Sequence, residues 1–271
     1  MKTFLKILIG LLALAVAVYV IYLEFTTNNQ ADEAPVTLLT LSSIPNGYPD
    51  IIDDEEIVLH SAFHISYNNT YEQANWAAYI LTAEMVRIEE AERNSGFRKD
   101  PLVTKETANT DDYTNSGYDR GHLVPAADMN FSEITMKESF YMSNVSPQVP
   151  EFNRGIWKSL ETQVRKWATQ NDSIYVITGP VFKRQPIKYL NNNVVAVPDY
   201  FFKIVLDISF KDGYKGIAFI LENKDYEEEF WDYATTIDAT EEFTGIDFFV
   251  EQPVPSIEII ESELQLRKWR L

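Results

Sequence analysis

His122 closes the run Tyr118-Asp119-Arg120-Gly121-His122, and Asn153 and Glu161 follow about thirty residues later, eight apart. Those residue types suit metal-assisted cleavage of a phosphodiester. An imidazole can take a proton from water near neutral pH, an amide oxygen can hold a hard cation, and a carboxylate can orient the cation's waters. Gly121 allows close backbone approach, and Arg120 can pair with Asp119 or with phosphate. The tetrapeptide alone is a modest signal, because a lone histidine is more often a satisfied structural residue.

The elements that must position these residues begin after residue 55. A strand-like stretch at 57–60 continues through 63–67, and an Asn68-Asn69 turn separates it from 74–81, which predicts a hairpin. Residues 99–117 are polar, hold Pro101 and read as a long loop. Ser132, Glu133 and apolar Ile134, Met136 and Phe140 predict a capped helix ending near Phe140, followed by a short strand over 141–145. Residues 153–169 carry Ile156, Trp157, Leu160, Val164, Trp167 and Ala168 at helical spacing, with Lys158, Glu161, Arg165 and Lys166 interleaved. Trp157 and Trp167 then belong to the core, and Glu161 would lie about 80° round and about 12 Å along the helix from Asn153. Asn153 at a helix start is also a good N-cap. Strands are expected at 173–178, 194–197, 200–210 and 215–221, with turns at Gly179-Pro180 and Asp212-Gly213. His60 and His64, among apolar neighbours, read as structural. The fold class is α+β, an antiparallel sheet flanked by helices.

The chain has 271 residues, 45% of them hydrophobic, which is enough for a sizeable core. It has no cysteine, so disulfides, zinc thiolates, iron-sulfur clusters and cysteine nucleophiles are excluded. Residues 7–23 are uncharged and as a helix would measure about 26 Å, long enough to span or nearly span a bilayer. Lys2 and Lys6 precede that run and Glu24 follows it, which places the N-terminus in the cytoplasm and the globular part outside. A cleaved signal peptide competes with an N-terminal transmembrane helix, but the small-residue sites at 13–17 lie inside the apolar run. The expected organisation is an anchor or signal segment over 1–25, a tether over 26–54, a catalytic domain over 55–250 and an acidic extension over 251–271.

A formal charge of −18 looks wrong for a protein that binds a polyanion. Its distribution answers much of the objection. Residues 25–72 hold eight acids and no base, and residues 222–271 hold fourteen acids against four bases. Between 93 and 170 the count is ten against ten. The acidity sits at the ends, as solvated faces, and the motif-bearing middle is neutral.

Several motifs in order resemble the non-specific DNA/RNA endonuclease family: residues 118–128, residues 139–150, and Phe152-Asn153-Arg154-Gly155-Ile156-Trp157 with Leu160-Glu161. Arg93, Phe97 and Asp100 match its upstream element, residues 195–198 and Phe201-Phe202-Lys203 its later strand pair, and residues 244–249 its closing segment. The resemblance runs from about residue 57 to 249. It implies a ββα-metal site in which the strand around His122, the strand around Asn144 and the helix opening at Asn153 converge. It also implies a magnesium-dependent endonuclease acting on DNA and RNA, with Mn²⁺ as a substitute, that leaves 5′-phosphate and 3′-hydroxyl ends. His122 would be the general base, Asn153 the metal ligand and Glu161 a carboxylate acting on the metal through water. Arg93 and Arg120 would bind phosphate, Asn144 would orient the imidazole or its loop, and Asp119 would support the site. The roles of Asp128 and Asp199 stay open. So do two other readings: a catalytically weak, membrane-tethered nucleic-acid-binding module, and a metal phosphoesterase acting on a small substrate. The expected location is a bacterial inner membrane, single-pass, with the catalytic domain on the periplasmic or extracellular side, or secreted after cleavage; a homodimer is compatible with it.

Overall fold

The computed structural model describes Pro49 and residues 55–93, 96–190, 194–209, 215–249 and 257–270. The expected anchor over 1–25 and, apart from Pro49, the tether over 26–54 lie outside these. Among the described residues no helix is long and apolar enough to cross a membrane.

Alternating apolar side chains build one antiparallel sheet with both faces covered. Its strands are β1 (Glu55–Leu59), β2 (Phe63–Asn68), β3 (Gln73–Thr82), β6 (Ser173–Val181), β7 (Tyr200–Asp207), β8 (Lys215–Glu222) and β9 (Ala234–Thr235), hydrogen-bonded in that order. On β3, Ala77, Tyr79 and Leu81 enter one core while Trp76, Ala78 and Ile80 enter the other, as the two-residue period of a strand requires. The first core is closed by α4 (Lys158–Asn171), which buries Leu160, Val164, Trp167 and Ala168. The second is closed by Ile237 of α5 (Ile237–Thr244), Phe248, and Ile260 of α6 (Ile257–Ser262). Trp269 of α7 (Leu266–Trp269) is buried against Trp167, whose indole donates to the Trp269 carbonyl at 2.8 Å. The expected mixed α+β architecture with an antiparallel sheet is therefore present.

A second, two-stranded sheet carries the motif: β4 (Asp119–His122) pairs antiparallel with β5 (Val145–Gln148), His122 opposite Val145. Around it lie α1 (Ala83–Arg87), α2 (Glu133–Ser139) and α3 (Pro150–Phe152). Ser132 caps α2 as expected, accepting from the Ile134 amide, and Phe140 ends it.

Several local expectations need correction. Gly179-Pro180 is no turn but the interior of β6, opposite Phe202 and Phe201. Glycine is needed there because a Cβ would come within 2.3 Å of the Asn75 carbonyl oxygen. Of 194–197 only Ala196 pairs, in an isolated bridge with Tyr189. Residues 142–144 form a 3₁₀ turn, so the strand expected over 141–145 starts at Val145. The helix expected from 153 begins at Pro150, a residue whose fixed φ suits a first turn. It is then interrupted at Asn153–Trp157 by a wide turn with Gly155 at φ −99°, ψ −108°. Regular helical geometry therefore does not connect Asn153 to Glu161.

Candidate active site

A cleft of about 440 Å³ opens where the β4–β5 hairpin meets the wide turn and the first turns of α4. Of the expected site residues, Arg93, Arg120, His122, Asn153 and Glu161 all line it. Asn144 does not. It is fully buried, and its side-chain amide accepts from Val124 N and donates to Val124 O and Ser139 O, each at 2.9 Å. Its backbone carbonyl accepts from Leu123 N at 3.0 Å. Asn144 thus fixes the chain leaving His122 rather than the imidazole.

His122 is 9% exposed, with the Phe140 ring edge-on at 4.9 Å and Phe97 at 5.3 Å. Its Nε2 has no hydrogen-bond partner among the described residues. Burial first, and the positive charge of Arg93 second, push its pKa from 6.5 down to about 3. The result is a neutral imidazole with a ring nitrogen not already committed. Gly121 is set by packing, since an added Cβ would sit 2.1 Å from the Gln148 side chain.

Asp119 organises the opposite wall. Its carboxylate accepts from Asn153 Nδ2 at 2.9 Å and from Arg154 Nε and Nη2 at 2.8 and 2.6 Å. Burial works to raise its pKa, but these bonds and the Arg154 charge outweigh it and hold the carboxyl below the ordinary range. With its nitrogen committed to Asp119, the Asn153 side chain caps no helix N-terminus, and its oxygen is left as the donor for a cation. Among the described residues no cluster of three or more His, Cys, Asp or Glu could hold a metal. The Asn153 amide oxygen and the Glu161 carboxylate on the same cleft are oxygen donors of the kind a hard cation takes beside its own waters.

Glu161 faces the same cleft. Burial raises its carboxyl above the ordinary range, against the attraction of Lys203, Arg165 and Arg93. Arg120 is partly committed: Nη2 donates to the Thr110 carbonyl at 2.6 Å, and the guanidinium lies 5.8 Å from both the Phe97 and Tyr113 rings. Arg93 is exposed at the rim and lies beyond α1.

Residues that sequence reasoning left without a role complete the wall. Arg154, Lys158 and Arg165 line the cleft beside Glu161. Their signal was present, since positions 158, 161 and 165 share a helix face at i, i+3 and i+4 spacing. Asp128 is buried and accepts from the Tyr79 hydroxyl and from Arg165 Nη1, both at 2.7 Å. Asp199 instead holds a turn, accepting from the amides of Lys183 and Arg184 at 2.7 Å. His60 is buried with Nε2 3.1 Å from Asp100 Oδ2, and Ser143 donates to the same oxygen. That contact braces the 3₁₀ turn carrying Asn144. His64 is held neutral, burial lowering its pKa to about 4 with His60 adding to the effect.

Residues 45–254 match the family model described as DNA/RNA non-specific endonuclease. The chain is similar to the mitochondrial nuclease of Saccharomyces cerevisiae, 33% identical over 228 residues that cover 76% of this chain and 69% of that protein. It is also similar to nuclease C1 of Cunninghamella echinulata var. echinulata, 34% identical over 210 residues, 72% of this chain and 83% of that one. The solved structure of the EndoG/EndoGI complex overlays with a TM-score of 0.69 at 28% identity, covering 77% of this chain and 90% of that one. With a family match over 210 residues and the fold shared, the chain belongs to the DNA/RNA non-specific endonucleases and is an endonuclease that hydrolyses phosphodiester bonds.

Proposed function

We propose that the chain is a Mg²⁺-dependent endonuclease of DNA and RNA in which His122 is the general base, with Mn²⁺ able to replace Mg²⁺. The observation that carries this reading is the neutral, buried imidazole whose Nε2 has no protein partner, in a cleft lined by Asn153, Glu161 and five cationic side chains. A ring nitrogen of His122 accepts the proton of the attacking water, and the low pKa keeps the imidazole neutral and able to accept it. Asn153 would hold the metal through its amide oxygen, the Asp119 carboxylate having taken the amide nitrogen. Glu161 would orient water at the metal. When bound, the ion would supply positive charge that offsets the charge developing in phosphodiester cleavage. Arg93 at the rim binds phosphate and offsets charge that grows on it in the transition state, and Arg120 supports the same oxygens. Each of these roles is directed at phosphate or its attacking water and not at a base edge, as backbone-directed cleavage requires.

The N-terminal run, read from sequence alone, would tether this domain to a bacterial inner membrane with the cleft outside. The test of function uses the full chain in mild detergent with supercoiled plasmid and with RNA. Both substrates are expected to be cut in Mg²⁺ or Mn²⁺ and spared in EDTA, with products that carry 5′-phosphates. Intact substrates in both metals at low salt would defeat the reading.

A further inference from the structure

Lys203 breaks the ordinary rules of burial. It lies on β7 between Phe201 and Val205, facing the first core, with no exposed surface. Its ammonium has no hydrogen-bond partner among the described residues. It sits 4.7 Å from the centre of the Trp157 ring, a cation–π contact that only partly replaces lost water. A buried charge persists when opposite charge is arranged around it.

Among the described residues it forms no ion pair, and the charges whose fields reach it are those of Glu161, Asp128 and Arg165. Two carboxylates thus answer two cations. Asp128 is already bonded by Arg165 and by Tyr79, whereas Glu161, one turn along α4 from Trp157, reaches the cleft. We propose that Lys203 is a positioning residue, the buried counter-cation beneath the cleft that holds the Glu161 carboxylate where it serves the reaction. The inference rests on the role given to Glu161 above. It assigns a task to a lysine that never meets substrate.

A four-cornered cycle of the full chain tests it: wild type, Lys203→Met, Glu161→Gln and the double variant. Read out are the single-turnover rate, the Mg²⁺ concentration for half-maximal rate, and Tm. Each single variant is expected to lose at least about tenfold in rate, and Lys203→Met to need more Mg²⁺. The double variant should be no slower than the slower single, because Lys203 acts through Glu161. Glu161→Gln should lower Tm by stranding a buried cation, and adding Lys203→Met should restore it, since removing both partners of a buried pair costs less than removing one.

A Lys203→Met rate within twofold of wild type overturns the proposal, as does a double variant whose two losses multiply. If Lys203→Met alone does not fold, the Tm of Glu161→Gln against the double still decides: recovery supports the pair, and a further fall overturns it. If Glu161→Gln keeps the wild-type rate, the role given to Glu161 fails. If it is slow while Lys203→Met is not, only the Lys203 inference fails.

Discussion

His122 shows how environment sets the chemistry of a single side chain. In water an imidazole is half protonated near pH 6.5, but here burial, and then Arg93, lower that to about 3. The unfolded chain therefore binds a proton more readily than the folded one. Stability from keeping His122 neutral is complete above about pH 6.5 and is lost as pH falls through the window down to about 3. Urea unfolding between those limits should show wild type losing stability with acid more steeply than His122→Gln, which has no titrating group there. Equal slopes would contradict the buried, neutral assignment. At this scale the sequence was informative, since motif spacing led to five residues that line one cleft. It left Asn144 between the imidazole and its loop, and the carboxamide spans the loop backbone, a choice that a residue type alone does not reveal. It also passed over Lys203, because nothing local in Phe201-Phe202-Lys203 marks that lysine as buried.

The elements explain why those residues meet. The hairpin β4–β5 presents His122, and its close packing requires Gly121 against Gln148. Gly121→Ala should cost about 1–3 kcal/mol, because an added methyl in a packed site forces neighbours to shift. Urea denaturation will measure it, and an unchanged midpoint would mean that the hairpin gives way more easily than its packing implies. Periodicity found α4 and placed Trp157 and Trp167 in the core, where both are buried. It missed the break at Gly155, because the apolar spacing resumes after it and hides the irregular turn. That break brings Asn153 to Asp119 on the hairpin while Glu161 stays on the regular helix. Gly179-Pro180 misled for a related reason. The pair usually marks a turn, but here close approach to the Asn75 carbonyl, a contact from another strand, sets the need for glycine.

For the whole molecule the puzzle is an acidic protein, with a formal charge of −18, acting on a polyanion. Five cationic residues line the cleft: Arg93, Arg120, Arg154, Lys158 and Arg165. Three are partly committed, Arg154 to Asp119, Arg165 to Asp128 and Arg120 to the Thr110 carbonyl. That leaves two for phosphate, so the logarithm of binding strength should fall with the logarithm of salt at a slope near −2, at about 0.9 per phosphate contact. Fluorescence anisotropy of a labelled duplex with His122→Ala in Ca²⁺ will measure it, and a slope beyond about −5 would require a wider cationic surface than the cleft supplies. Fold class was legible at this scale from alternating strands and one amphipathic helix. The convergence of a rim arginine, a hairpin and a broken helix was not, because long-range packing leaves no periodic trace in the chain. The central claim is that His122 supplies the base, and its most direct test is the single-turnover cleavage rate of His122→Ala in saturating Mg²⁺ beside wild type. A fall of about 10²–10⁴-fold with duplex affinity unchanged is the predicted result. A rate within twofold of wild type would contradict the account.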